Sequence, residues 1–350
     1  MILRDTTLEE FAEEIYSKKQ KIVIYGAGAI GKVAVPSFIA ANHLEGQILF
    51  YADRDLKKQG ELIAIGNHQV EVAEPDRMRE IREPFVVVIT GSRYEGILEF
   101  LNSQRYLDHV AVCIFPQMLV AASRKTSRKS APAFAGKRSS YPLIPRVIHY
   151  CWFGHGEKPD KIKACMDSWR RYCPGYEIKE WNEENYNVNK YLYSAQAYKH
   201  GKWAFVADVA RLDILYENGG IYLDTDVELI RKLDDLLYQP AFCAVEKWRQ
   251  INTGGGCGAV RHHPAIRRML EYRKESLFEY PDGSLNMETN GVYESIALVR
   301  DGFVADNTIQ IVKDMTIYSS DFFYPFDYMS KETVITENTY AIHHFQGSWT

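Results

Sequence analysis

Asp224 and Asp226 are the residues with the most chemistry to offer, because they stand two apart at the end of a short apolar run, Ile221-Tyr222-Leu223. Along an extended chain that spacing points both carboxylates to one side. Two such groups repel each other and resist desolvation unless a cation lies between them. Hard oxygen ligands suit Mg²⁺ or Mn²⁺, which keep open positions for a substrate's phosphates, so the expected substrate is a phosphate ester. A solvated turn is the plain alternative for any Asp-x-Asp. What precedes this one argues otherwise: Gly219-Gly220 ends an apolar helix, and the chain then enters the kind of buried strand after which α/β proteins place their chemistry.

The helix is expected over 203–218, with Phe205, Val206, Val209, Leu212 and Leu215 as its buried stripe. Asp208 and Arg211 sit three apart beside that stripe. They are either a surface ion pair, worth roughly a few tenths of a kcal/mol, or groups that face a ligand such as a sugar's hydroxyls. Further upstream, residues 144–154 read as a strand ending in a glycine turn, with Trp152 near its end. That indole is either core or a platform for a nucleobase. A helix over 161–172 and a strand over 176–181 continue an α/β pattern.

A chain of 350 residues exceeds the usual single-domain size, and 46% hydrophobic residues suffice for two cores. The formal charge of -4 carries no nucleic-acid signature. Glu9, Glu10, Glu13 and Glu14 make the first twenty residues neither a signal peptide nor a membrane span, so a cytoplasmic location is expected. Six cysteines with no Cys-x-x-Cys pair read as buried thiols rather than zinc ligands.

Residues 1–120 read as a Rossmann-like domain, a doubly wound parallel sheet with strands at 21–25, 47–52, 84–90 and 109–115. The first strand runs into Gly26-Ala27-Gly28-Ala29-Ile30-Gly31, a Gly-x-Gly-x-x-Gly turn. Asp53 lies where a ribose-binding acid would sit. Gly26, Gly28 and Gly31 either cradle a nucleotide's pyrophosphate or let strand, turn and helix pack closely. Residues 121–143 form a basic linker: from His109 to Gly156 there is no acidic residue, while Arg124, Lys125, Arg128, Lys129, Lys137, Arg138 and Arg146 are basic. Such a segment could also draw the protein peripherally to anionic lipid. A second domain, 144–350, follows.

Four stretches of this second domain together resemble glycosyltransferase family 32, the group with the sugar-binding DXD motif that includes capsular polysaccharide synthesis proteins. They are 144–154, 207–218, 219–226 and the ending His343-His344-Phe345-Gln346-Gly347-Ser348-Trp349. The resemblance implies a GT-A fold and retaining transfer from a nucleotide sugar, a UDP-sugar by expectation, with manganese at the diphosphate. The acceptor it implies is a glycan or lipid-linked glycan of a bacterial surface polysaccharide. Carried over by motif, Trp152 would stack on the base, and Asp208 and Arg211 would hold the donor sugar. Asp224 would reach ribose and metal, Asp226 would ligate the metal, and Ser348 and Trp349 would close over the diphosphate. His344 matches the histidine that completes the metal site, with His343 as its adjacent competitor. Asn252 and Thr253 are candidates to line the donor site, and Thr289-Asn290-Gly291 departs from the Gly-Pro turn of many relatives.

Two other functions compete. A haloacid dehalogenase-like phosphatase would use Asp224 as nucleophile, but no ordered downstream lysine and acidic pair presents itself. An NAD-dependent oxidoreductase built on Gly26 to Gly31 leaves the whole second domain unexplained. The linker makes a separate prediction: the protein should bind anionic vesicles in a salt-sensitive way, and neutralising the basic residues 124, 125, 128 and 129 should abolish it. Equal binding to neutral vesicles in a flotation assay would refute the electrostatic attraction.

Overall fold

The computed structural model describes residues 1–91, 94–118, 139–281, 283, 285–299, 301–327 and 331–346. Most of the basic linker, and Ser348 and Trp349, lie outside them. The chain divides into two compact units, one of Met1–Lys129 with Val304–Asp306, the other of Ser130–Phe303 with Asn307–Thr350.

In the first unit the strands are β1 (Ile2–Leu3), β2 (Lys21–Tyr25), β3 (Ile48–Ala52), β4 (Leu62–Ile65), β5 (His68–Ala73), β6 (Phe85–Ile89) and β7 (Ala111–Ile114). Their order is β1-β7-β6-β2-β3-β5-β4. From β5 through β3 and β2 to β6 and β7 this is the order of an open doubly wound nucleotide-binding sheet, with its switch point beside β2. All neighbours run parallel except β4, which closes one edge as an antiparallel hairpin with β5. The alternating Leu62–Ala73 segment was not among the expected strands. The helix after the glycine turn is also interrupted, into Ala29–Lys32 and Ala34–Ala41, where Val33 leaves helical geometry.

In the second unit a mixed sheet runs β15-β16-β12-β14-β10-β8-β9, with β13 paired to β12. Its strands are β8 (Val147–Cys151), β9 (Glu177–Trp181), β10 (Gly220–Tyr222), β12 (Ala241–Val245), β13 (Ile251–Asn252), β14 (Cys257–Ala259), β15 (Gln310–Val312) and β16 (Met315–Tyr318). The parallel β9, β8 and β10 are the part that carries the site. A separate pair, β11 (Val227–Leu229) with β19 (Ala341–His343), takes the chain away from the Asp-x-Asp and brings its end back. A small antiparallel pair, β17 (Phe326–Asp327) with β18 (Glu332–Thr333), lies apart. The helix Asp160–Tyr172 anchors β11: Trp169, fully buried, donates its indole N–H to Val227 O at 2.7 Å, and Leu229 N donates to Ser168 Oγ at 2.8 Å. Both units are therefore α/β. All six cysteines are buried and free, as expected. Among the described residues no helix is long and apolar enough to cross a membrane.

The glycine turn can be read atom by atom. A Cβ on Gly31 would lie 2.2 Å from Gly26 O, so this glycine is required by packing, whereas a Cβ on Gly28 would meet nothing within 4 Å. Gly31→Ala should therefore cost roughly 1–3 kcal/mol through overpacking, and Gly28→Ala less than about 0.5 kcal/mol. Urea denaturation of the two variants checks this, and equal losses would contradict the packing assignment.

Candidate functional site

The helix Trp203–Asn218 ends where Gly219 (φ 69°) and Gly220 (φ 97°) take the left-handed backbone that other residues avoid. Close contacts enforce the same choice, since a Cβ on Gly220 would lie 2.8 Å from His149 Nε2. His149, on β8, accepts the Trp181 indole N–H at Nδ1 and bonds Gly219 O through Nε2 at 3.0 Å. Burial pulls its pKa down to about 4, so it is a neutral structural clamp between β9, β8 and the helix end.

Strand β10 stops at Tyr222, one residue before the expected end at Leu223, so the two carboxylates lie beyond it and strand alternation does not align them. Asp224 and Asp226 instead occupy the turn between β10 and β11, and both line one cavity of about 420 Å³. That volume is within the roughly 300–1,000 Å³ of small-molecule sites. The turn is pinned by backbone bonds from Leu223 N to His149 O at 3.1 Å and from Asp224 N to Gly254 O at 2.7 Å.

Asp208 and Arg211 are not a surface pair. Both are buried, and Arg211 Nη2 lies 3.0 Å from Asp208 Oδ1 and 3.0 Å from Asp224 Oδ1. Asp224 Oδ1 also accepts the Tyr222 hydroxyl at 3.1 Å. Burial opposes the charge on Arg211, but Asp224, Tyr222 and Asp208 outweigh it and raise its pKa, so the guanidinium stays charged. Arg211 lines the cavity; Asp208 does not. Asp208, expected to hold the sugar, has a relative exposure of 1% and lies behind Arg211, with its Oδ2 facing Arg273 Nη2 at 3.4 Å.

Of the two competing histidines, His343 is the one turned to the motif. His343 Nε2 lies 3.2 Å from Asp226 Oδ1, whereas His344 Nε2 turns to Glu228 Oε2 at 2.9 Å. Neighbours on an extended chain face opposite sides, and the register that pairs His343 with Val227 decides which one meets the motif. Burial works against ionisation of Asp226, yet the charge and hydrogen bond of His343 and the Gln346 N–H hold its carboxyl below the usual range. Burial likewise opposes a proton on His343, and Asp226 prevails and raises its pKa.

Trp152 is half-buried at the cavity wall, with its indole N–H donated to Gly156 O at 2.6 Å and Lys158 Nζ over the ring at 5.2 Å. Asn252 and Asn290 line the cavity as well, but Thr253 is fully buried and does not. Trp203, Ala204 and Ala207 complete one face of the helix that bears Arg211; Trp203 was missed, although its spacing of eight from Arg211 puts it on the same face. In the first unit, Asp53 Oδ2 accepts the Ala27 N–H at 2.8 Å, so the acid read as a ribose ligand is turned onto the glycine turn itself. Packing accounts for Gly31; nothing in the geometry assigns a ligand to Gly26 or Gly28.

The donor set fits a hard divalent cation that shares its coordination with a substrate. Asp224 and Asp226 reach the cavity with side chains 23% and 15% exposed, and the buried Nδ1 of His343 has no hydrogen-bond partner. Among the described residues no three His, Cys, Asp or Glu side chains close into a metal set made by protein alone.

The two carboxylates that follow β10 are thus backed by a buried arginine and open to a cavity with an indole wall. Residues 159–243 match the family described as "Glycosyltransferase sugar-binding region containing DXD motif". Inositol phosphoceramide mannosyltransferase 2 of Schizosaccharomyces pombe is 30% identical over 149 residues, 41% of this chain and 42% of that protein. An uncharacterized glycosyltransferase of Acanthamoeba polyphaga mimivirus is 26% identical over 220 residues, 59% of this chain and 84% of that one. The match thus spans less than half the length of the fission-yeast relative. Among solved structures the PaToxG glycosyltransferase aligns over 53% of this chain and 78% of its own, at 16% identity and a TM-score of 0.37. Residues 159–243 of the second unit are thus similar to the sugar-binding region of DXD glycosyltransferases, the likeness that the motifs of family 32 led one to expect.

The arginine makes the site's first prediction. Arg211→Met leaves Asp208 and Asp224 without their shared counter-charge and should cost roughly 3–5 kcal/mol, the usual loss when one partner of a buried pair is removed. Urea denaturation measures it. A loss below about 1 kcal/mol would show that the cluster is not held by charge.

Proposed function

We propose that this protein is a metal-dependent glycosyltransferase that takes a sugar from a nucleotide-sugar donor, with Asp224, Asp226 and His343 as its metal-side residues. One observation carries the reading: the two motif carboxylates, Arg211 and His343 open onto the same cavity as Trp152. Asp224 and Asp226 would hold Mn²⁺ or Mg²⁺, which when bound would stabilise the negative charge that grows on the leaving diphosphate. Arg211 fixes the orientation of Asp224 before substrate arrives, so no reorganisation is required at the moment of reaction. Trp152 offers the base a flat face, a contact worth roughly 1–3 kcal/mol in nucleic-acid complexes.

Front-face transfer with retention is the mechanism we favour. Asp224 and Asp226 are the only carboxylates among the described cavity-lining residues, and both are committed to the motif, so none is left for a covalent sugar intermediate. We infer a UDP-sugar or, from the names of the yeast relatives, a mannosyl nucleotide as donor. A glycan or lipid-linked glycan in surface polysaccharide synthesis is the acceptor class, reached from the cytoplasmic side of a membrane. The GT-A type of fold belongs to the same reading.

A panel of nucleotide sugars incubated with Mn²⁺ tests it by released nucleoside diphosphate. Asp226→Asn keeps the shape of the side chain but not its charge, and turnover should fall below about a hundredth of wild type in a folded protein. His343→Ala should lose at least about tenfold, while His344→Ala stays within about twofold. Normal metal-dependent turnover by Asp226→Asn would overturn the metal assignment, and a reversed order of the two histidines would overturn the choice of His343.

A further inference from the structure

Behind Asp224 runs the loop from Asn252 to Gly255, of which Asn252 lines the cavity, and two buried groups grip it from either side. Tyr324 donates its hydroxyl to Asn252 O at 2.5 Å and accepts the Gly255 N–H at 2.8 Å. Glu294, on the helix Asn290–Val299 and only 2% exposed, accepts the Thr253 N–H at 3.0 Å and the Thr253 hydroxyl at 2.6 Å. Asn290, which lines the cavity, directs its Nδ2 to Glu294 Oε1 and Asn252 Oδ1, both at 3.4 Å.

Between these grips Gly254 presses directly on the motif. Its carbonyl accepts the Asp224 N–H at 2.7 Å, and Asn252 Oδ1 accepts its own N–H at 2.8 Å. The approach is so close that a Cβ on Gly254 would lie 2.0 Å from Asp224 Oδ2 and 2.8 Å from Arg211 Nη1. Any shift of this loop must therefore move Asp224, because no free space separates them.

We propose that Glu294 is a positioning residue for Asp224, acting through Thr253 and Gly254 rather than by touching substrate. Its kinetic consequence rests on the functional reading above; its structural consequence does not. Both polar hydrogens of Thr253 point at the same carboxylate, which together with the Tyr324 hydroxyl on Asn252 O fixes the Asn252–Thr253 peptide plane and so the backbone that leads into Gly254. Bonds to a carboxylate are stronger than neutral ones, and a displacement of about 1 Å at a reacting group can cost roughly a hundredfold in rate. An apolar residue would fill the same space without orienting the loop. Burial lifts the Glu294 pKa to about 7, against the charge of Arg211 and the two Thr253 bonds, which pull it down.

Glu294→Gln in the full chain tests the proposal, since the amide keeps the volume but turns an NH₂ group toward one of the two Thr253 hydrogens. Hydrogen exchange of the segment containing Asp224 should accelerate by about tenfold, with the protection of Trp169 and its neighbours unchanged. For donor hydrolysis kcat should fall by about tenfold or more and KM stay within about twofold. Thr253→Val, which removes only the hydroxyl, should show the same pattern at smaller size and serves if Glu294→Gln does not fold. Thr253→Ser, which retains both hydrogens, should behave as wild type. Unchanged exchange at Asp224 in a folded Glu294→Gln protein overturns the proposal, as does an equal loss of protection throughout the unit with kcat retained. If wild type turns over no nucleotide sugar, the functional reading falls while the exchange measurement still decides the positioning role.

Discussion

Arg211 lies buried between two carboxylates, 3.0 Å from Asp208 and 3.0 Å from Asp224, and much of the second unit is arranged so that this charge can stay there. A guanidinium removed from water is costly unless its charge and hydrogen bonds are both met. Asp208 comes from the same helix face and Asp224 from the turn after β10, so a single ionic contact ties helix to motif. The Tyr222 ring, 5.1 Å from the guanidinium, closes the remaining side. Arg273 repeats the device one layer deeper, stacked 4.2 Å from the Tyr193 ring and 3.8 Å from the Tyr293 ring while it faces Asp208. Stacking on aromatics suits a planar cation in a place where water cannot reach.

That polar interior depends on backbone geometry that only a few residues allow. Gly219 and Gly220 turn the chain sharply enough for Asp224 to come back under Arg211, and His149 locks the turn by spending both ring nitrogens on neighbours. On the far side, Trp169 and Ser168 fix β11, and β11 in turn fixes β19 and so His343. The carboxylate of Asp226 is thus set from a different part of the chain than that of Asp224. This separation lets two residues two positions apart meet different partners, a guanidinium for one and an imidazole for the other.

In the first unit part of the glycine motif is explained by packing within the fold. Its strand order and switch point are those of nucleotide-binding sheets. Yet Gly31 is packed against Gly26 O, Asp53 is bonded to Ala27 N, and the helix that follows is broken after Lys32. Fold-level likeness does not assign a ligand.

Sequence alone determined the elements whose signals are local. The apolar stripe and double glycine define the helix Trp203–Asn218 to the residue, and the short apolar runs mark β2 to the residue, β6 within one residue and β8 within three. Those signals are strong because periodicity and glycine backbone freedom act over a few residues. The Asp-x-Asp, Arg211 and Trp152 were legible for the same reason, as residue types at fixed spacing. Three-dimensional packing alone turned His343 rather than His344 to Asp226, put Asp208 behind Arg211, and brought Glu294 and Tyr324 onto the loop under Asp224. The last two lie 70 and 100 positions beyond Asp224 in the chain. No spacing rule reaches that far, since which side chains meet across such a separation depends on strand register and on how buried charges find partners.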